Sequence, residues 1–402
     1  MEVSDLSSLV RFMSIMIVFL FLFPVTVWSS NQEELPINSE AVILIDATTG
    51  QVIYENRAKD RMYPASITKI VTGIMAIESG RLSELAVTSK RARWAEGTRI
   101  YLAQDEEKRI EDIVYGLLMH SGNDAGIVIA EHLGGTVEDF AIKMNEFVRE
   151  KVGVYDSHFM NPHGLFDEQH YTTAYDMAMI SRYAMQNPTF RTMVSTKKRP
   201  WHGEEWETNL VNHNKLLWRY EGATGIKNGY VNQSGNTLVA SAKREGTELI
   251  AVALKASGSE KVYADTSTLL DYGFDHFETR RLFTKGKRFE RSDGGSLWEA
   301  AEDVYYTVKK NESLSYRVDE EGNIVIGTGG VKQVLKGKLK IVESSGPKDE
   351  AANMMSSVRV HNMGNVENDG FISYLVGAVV LSILAVFILN KLRKKDNQSK
   401  NM

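Results

Sequence analysis

Tyr63-Pro64-Ala65-Ser66-Ile67-Thr68-Lys69-Ile70 opens the first strong helical signal of the chain. From it, Ile67, Ile70, Val71, Ile74 and Ile77 recur at three- and four-residue spacing, and Gly80 stands where a C-terminal cap glycine belongs. Ser66 and Lys69 are one turn apart, so on a helix the amine reaches the hydroxyl. A helix N-terminus carries partial positive charge and outward-facing N–H groups, which favours an oxyanion and disfavours an ammonium. A lysine held there gives up its proton more readily and serves as a base. Alone, S-x-x-K is weak. Ser195 with Lys198 and Ser345 with Lys348 also match it, and a serine N-cap followed by a solvated lysine is the commoner meaning.

Outward from this helix, strands and helices alternate. Ala41 to Asp46 and Gln51 to Glu55 are β-rich segments separated by Ala47-Thr48-Thr49-Gly50, which predicts a hairpin. Ile110, Ile113, Val114, Leu117 and Leu118 predict a second helix ending near His120, and Ala125 to Leu133 a third, closed by Gly134-Gly135. Residues 140 to 220 read as mixed and mostly helical, with a polar stretch rich in Trp and Lys from about 195. Thr237 to Lys243 and Leu249 to Lys255 predict two strands joined across Glu245-Gly246, with a helix near Val262 to Tyr272. Strands that open and close the region with helices between them imply one α+β domain over residues 30–280. Short alternating segments at Ser315 to Val318, Asn323 to Ile326 and Lys336 to Val342 predict a small β-rich domain over 281–345. Gly346-Pro347 begins a linker over 346–369.

The chain has 402 residues, 43% hydrophobic and 25% charged, ordinary values for two or three globular domains. Its 47 basic and 52 acidic side chains leave a net charge of −5, whereas nucleic-acid binders usually carry a basic excess. The absence of cysteine removes disulfide scaffolds, thiolate catalysis, Fe–S clusters and Cys-based zinc sites. Covalent catalysis therefore needs an oxygen or amine nucleophile.

The two ends predict one topology. Arg11, the apolar run Ile15 to Phe23, Pro24 and Val27-Trp28-Ser29-Ser30 fit a secretory signal over residues 1–29. An uncleaved anchor is the alternative, and the run is short for one. Phe371 to Leu389 carries no charge and is long enough for a transmembrane helix over 370–390. Lys391, Arg393, Lys394 and Lys395 place the basic tail, 391–402, in the cytoplasm and all that precedes the span outside. The expectation is a single-pass cell-membrane protein with an extracytoplasmic ectodomain.

Two further clusters are candidates for chemistry. Ser121-Gly122-Asn123 lies between the second and third helices, with Asp124 available as a cap. Short polar connectors are usually only connectors, and a second Ser-Gly-Asn, Ser234 to Asn236, reads as a turn before a strand. In Gly225-Ile226-Lys227-Asn228-Gly229-Tyr230, glycines on both sides of a lysine let a strand edge approach a ligand without an intervening Cβ. Asn228-Gly229 is equally a strong hairpin signal.

The ordered set S-x-x-K, S-x-N and K-x-G is far more specific than its parts. Together with Leu117-Leu118-Met119-His120-Ser121-Gly122-Asn123-Asp124-Ala125, Asn161-Pro162-His163-Gly164-Leu165 and Thr173-Ala174-Tyr175-Asp176-Met177-Ala178, it makes the sequence resemble a known family. This is the serine-type D-alanyl-D-alanine carboxypeptidases among the low-molecular-mass penicillin-binding proteins. The resemblance is strong over residues 38–275, loose beyond, and closest to sporulation-type enzymes. It implies an antiparallel β-sheet flanked by helices, Ser66 as acyl-accepting nucleophile and Lys69 as its general base. It further implies Ser121 as a proton relay, Asn123 as holder of a substrate amide, and Lys227 as positive charge for the terminal carboxylate, with Asn228 and Gly229 beside it. Backbone N–H groups of Ser66 and Tyr230 would form the oxyanion hole. The implied substrate is a peptidoglycan stem peptide ending in D-Ala-D-Ala, with β-lactams as inhibitors and neither metal nor organic cofactor.

One position departs from the pattern. The family usually has threonine where this chain has Asn228, and asparagine offers an amide N–H from a longer side chain in place of a hydroxyl. It can substitute, alter substrate choice, or leave a non-catalytic binder of cell-wall peptides or β-lactams. A β-lactamase would need a glutamate for the deacylating water, typically in E-x-x-L-N, and none lies between Ser121 and Lys227. His158, His163 and His170 lack H-E-x-x-H spacing for zinc. Trp201, Trp206 and Trp218 read as packing rather than a glycan surface, and Glu131 and Asp176 as structural.

Overall fold

Strand β1 (Ala41–Asp46) is buried at every position, which requires a sheet covered on both faces. Its side chains divide accordingly. Ala41, Ile43 and Ile45 enter one apolar cluster, and Val42 and Leu44 another. The computed structural model describes residues 34–291, 296–328 and 331–343. The expected signal, linker, transmembrane helix and basic tail lie outside the described residues. Among those described, no helix is long and apolar enough to cross a membrane.

β1 pairs with β2 (Val52–Asn56) through the expected hairpin, in which the Asp46 carboxylate accepts from the N–H groups of Thr48 and Thr49 at 2.7 and 2.9 Å. Two small ribbon strands, β3 (Leu85–Val87) and β4 (Glu107–Arg109), pair with each other. A second hairpin, β5 (Lys198–His202) and β6 (Glu207–Val211), falls where a mostly helical stretch was expected. These strands are polar and contain Pro200, so period-2 patterning is faint and only Trp201 and Leu210 reach the core. The main sheet is completed by β7 (Ala223–Val231), β8 (Gly235–Arg244) and β9 (Thr247–Ala256), antiparallel throughout in the order β2-β1-β9-β8-β7.

One face of the sheet carries α1 (Lys69–Glu78), α2 (Ile110–Met119), α3 (Asn123–Gly134), α4 (Val137–Phe147), α5 (Ala174–Met185) and α6 (Pro188–Ser195). The other carries α7 (Ser259–His276), packed so closely that a Cβ on Gly273 would stand 2.5 Å from Leu249 and 2.8 Å from Leu44. The buried Asp265 of α7 ties down the chain entering β1, accepting from Asn38 N and Nδ2 at 3.0 and 3.1 Å and from Ser39 N and Oγ at 2.8 and 2.5 Å.

After α7 the described residues, up to Glu343, form strands and turns only. Strands β10 (Phe277–Phe283) and β13 (Val304–Lys309) pair, as do β11 (Arg288–Glu290), β12 (Ser296–Ala300) and β17 (Leu339–Glu343). A third sheet joins β14 (Leu314–Val318), β15 (Ile324–Thr328) and β16 (Val331–Leu335). A separate small core, including Phe283, Val304, Tyr306, Ile324 and Ile326, holds these sheets. Polar contacts join it to the first hairpin: Thr279 Oγ1 donates to Asp46 Oδ2 at 2.5 Å, and the Thr49 and Thr307 hydroxyls meet at 2.6 Å. Replacing Asp265 by alanine strands the Ser39 donors, and urea unfolding of Asp265→Ala should show a loss of about 3 kcal/mol with an unchanged denaturant slope.

Candidate active site

Ser66 lies in a 3-10 turn, Ala65–Thr68, that runs directly into α1. Ala65 is held at φ +52°, a costly conformation for a residue with a Cβ, and two contacts enforce it. Thr237 Oγ1 of β8 donates to Pro64 O at 2.9 Å. Gly164 lies so close that a Cβ there would stand 1.9 Å from Ala65 O. Ser66 is therefore not the helix cap that a serine at this place suggests, and no side chain caps α1.

Lys69 is completely buried, and its Nζ lies 2.9 Å from Ser66 Oγ, 2.7 Å from Asn123 Oδ1 and 2.6 Å from His163 O. Asn123 Nδ2 donates to Glu96 O at 2.6 Å, which fixes Oδ1 toward the lysine. Burial pushes the Lys69 amine well below its usual range. Nearby Lys227 pushes it the same way, and Asp124 opposes them. A neutral amine has two N–H groups and one lone pair. Asn123 Oδ1 and His163 O can only accept, so they take both N–H groups, and the lone pair faces the Ser66 hydroxyl.

Two loops supply these acceptors. Asn161 Oδ1 accepts from the N–H groups of His163 and Gly164 at 3.3 and 2.7 Å, and Pro162 O accepts from Thr72 Oγ1 at 2.6 Å, which clamps the 161–165 turn onto α1. Ser121, between α2 and α3, is buried and adopts φ +68°, turning the chain sharply before Asn123. Asp124 stands inside the first turn of α3, not at its cap, and its Oδ1 accepts from Ala125 N at 2.9 Å. Its buried carboxylate accepts from Ile100 N and Leu102 N, fixing the neighbouring loop, and burial raises its pKa.

The third cluster lies on β7, an edge strand bonded only to β8. Asn228-Gly229 makes no hairpin. Both residues sit mid-strand opposite Leu238 and Thr237, and the turn falls beyond them at 232–234, so that Ser234 lies in it while Gly235 and Asn236, expected in the turn, already begin β8. A Cβ on Gly229 would stand 2.6 Å from Ser66 N and 3.1 Å from Ile67 N, so glycine alone allows the edge this close to the serine turn. Lys227 is buried, which brings its pKa down to about 7, and Nζ donates to Asn228 O at 2.8 Å. Asn228 Oδ1 lies 3.4 Å from the same amine, while Tyr230 is exposed.

The structure thus links Ser66, Lys69 and Asn123 by direct contacts, sets Gly229 against Ser66, and places Lys227 within electrostatic reach of Lys69. Sequence reasoning missed His163 O, Asn161, Gly164 and Thr237. It also missed His120 and His213, whose rings stack at 4.5 Å and which burial, aided by Lys227, keeps below their usual pKa, His213 at about 3. The only available signal was the Asn-Pro-His-Gly-Leu string itself.

The remaining candidates have structural positions. His170 contacts Thr68 Oγ1 and accepts from Met160 N, and His158 contacts Gln169 O. No group of three or more metal-binding side chains occurs among the described residues. Trp201 is buried and Trp206 packs beside His120, whereas Trp218 is exposed, with Lys197 and Lys198 over its ring. Asp176 accepts from Asp156 N and Ser157 Oγ.

A family described as D-alanyl-D-alanine carboxypeptidase, peptidase S11, matches residues 28–258. The chain belongs to this family. It is 32% identical over 268 residues to the D-alanyl-D-alanine carboxypeptidase DacF of Bacillus subtilis, covering 63% of this chain and 67% of the relative. Against DacD of Salmonella typhimurium it is 33% identical over 265 residues, with the same coverage. Among solved structures, penicillin binding protein 6B from Escherichia coli aligns with a TM-score of 0.64 at 26% identity, over 75% of this chain and 95% of that one. Penicillin binding protein 5 from Haemophilus influenzae aligns at 0.69 and 24% identity, over 78% and 98%, a likeness of fold. The approach of β7 to the nucleophile rests on Gly229. In Gly229→Ala, acylation by a fluorescent penicillin should slow at least about 100-fold, a loss typical of displacement by an ångström, with stability lowered by only about 1–3 kcal/mol so that the variant still folds.

Proposed function

We propose that this carboxypeptidase removes the terminal D-alanine from peptidoglycan stem peptides through an acyl-enzyme on Ser66. The observation that carries the reading is the Lys69 amine, buried and aimed at the Ser66 hydroxyl 2.9 Å away. Lys69 takes the hydroxyl proton as Ser66 Oγ attacks the carbonyl of the penultimate D-alanine. The N–H groups of Ser66 and Tyr230 receive the oxyanion, a donor of this kind being worth about 3 kcal/mol. Ser121 passes a proton to the departing amine, D-alanine leaves, and water releases the peptide from Ser66. The open edge of β7 gives the substrate backbone a strand to pair with.

Asn123 takes a more specific part than holding a substrate amide, since both ends of its own amide are engaged by Lys69 and Glu96 O: it positions the base. Lys227 meets the terminal carboxylate, and Asn228 supplies an amide N–H beside it. The chain would act from the outer face of a membrane, held by the apolar run at Phe371 to Leu389 and exported by the signal at its start.

Ser66→Ala should abolish both labelling by a fluorescent penicillin and D-alanine release from a pentapeptide ending in D-Ala-D-Ala. Labelling that survives would mean the nucleophile lies elsewhere.

Lys227 loses its charge as pH rises through about 7 in the free enzyme, so kcat/KM should decline on the alkaline side from there. In kcat the decline should begin at higher pH, because a bound carboxylate stabilises the ammonium. Persistence of the alkaline limb in Lys227→Gln would count against this assignment. Asn228→Thr should change D-alanine release by less than about tenfold, and a gain of 100-fold would show that asparagine impairs the site.

A further inference from the structure

Beside the catalytic turn lies a cavity of about 290 Å³ that the mechanism leaves unused. Arg61, Tyr63, Glu168, Tyr171, Gln233 and Lys255 form its wall. Tyr63 precedes Ser66 by three residues, so that wall stands within about 11 Å of the nucleophile. Gln233 lies in the turn that follows β7.

The direction of the substrate follows from the site. The leaving D-alanine has its carboxylate at Lys227 and the reacting carbonyl lies at Ser66 and Tyr230, so the rest of the peptide continues past Tyr230 toward Gln233. An extended chain advances about 3.3 Å per residue, which brings the residue before the D-Ala-D-Ala pair level with Val231, at the end of β7, and a long side chain there reaches on toward this turn. The cavity is at the small end for a ligand pocket and suits one side chain.

Its charges are unevenly matched. Arg61 faces Asp156 at 3.1 Å and lies over the Tyr171 ring, and Lys255 faces Glu40 at 3.0 Å. Glu168 is exposed and makes no ion pair among the described residues. The wall therefore presents one unmatched carboxylate beside the Tyr63 ring, the Tyr171 ring being covered by Arg61, a complement for a cation on a long aliphatic stem.

We propose that this cavity is a specificity subsite for an ammonium-bearing side chain on the residue preceding D-Ala-D-Ala, with Glu168 as its counter-ion. The assignment rests on the carboxypeptidase reading above. Lysine and a diamino diacid both present such an ammonium, and in the second the extra carboxylate would engage Arg61 or Lys255.

The test measures D-alanine release by the full chain from three peptides that share D-Ala-D-Ala. They differ in the preceding residue: Nα-acetyl-lysine, Nα-acetyl-diaminopimelate or Nα,Nε-diacetyl-lysine. Wild type should favour the first two over the third by about fivefold in kcat/KM, the upper end for an exposed ion pair. Glu168→Gln should erase that preference while leaving the diacetyl peptide within about twofold of wild type, and Glu168→Asp should retain part of it. A faster diacid peptide than lysine peptide assigns the second carboxylate to the cations, and equal rates assign the ammonium alone. Equal wild-type rates for all three peptides, or a uniform loss in Glu168→Gln, would overturn the subsite. No release from any of the three would overturn the carboxypeptidase reading instead.

Discussion

A lysine amine sealed from water between two acceptors is the constraint on which this fold depends. An unpaired ammonium at that depth would cost several kcal/mol, and the protein avoids the cost by favouring the neutral form. Neutrality is useful only if the lone pair has one direction. Asn123 and His163 O enforce that direction, and each is held by a partner of its own: the Glu96 carbonyl for Asn123 and the Asn161 turn for His163. The loops that look like connectors between helices are therefore the parts that orient the base.

The second lysine sharpens the effect. Lys227 is near half-charged at neutral pH when the site is empty, because burial alone lowers it to about 7. On the proposed reading a substrate carboxylate would stabilise its ammonium, and because that pair is close to neutral as felt at Lys69, burial, the largest cause of the Lys69 shift, would keep the base deprotonated in the complex. Electrostatic coupling of this kind works only where solvent does not screen it, which is why both amines are buried.

Much of this was legible in the sequence where function rests on side chains at fixed spacing. The apolar repeat after Ser66, the two helices framing Ser121 and the paired strands after Gly235 all follow period rules, and the structure has them in place. What escaped was carried by backbone. His163 contributes a carbonyl, which no residue type announces, and Gly164 and Gly229 matter for what they lack. Asn228-Gly229 shows the limit from the other side. A dipeptide with strong turn preference lies mid-strand because the approach of Ser66 requires glycine there, and tertiary contact overrides local propensity. The β5–β6 hairpin was invisible for a related reason, since only Trp201 and Leu210 of its ten residues face the core.

On the proposed reading, selection of a chain end over an internal peptide bond would follow from the same electrostatics. The region that would receive the leaving residue holds buried Lys227 and, within its field, His120 and His213, both depressed by burial and neutral at neutral pH. Lys227 is thus the cation there that a carboxylate can meet. An internal peptide would bring a neutral amide to that place, desolvating the amine without supplying a counter-charge. The two substrates differ little in shape along the β7 edge but by a full charge at Lys227, so discrimination arises in the charge pairing and requires no steric wall. On that reading Asn228 would be tolerable in place of threonine, because the residue beside the lysine would add one hydrogen bond to an interaction whose strength lies in the ion pair.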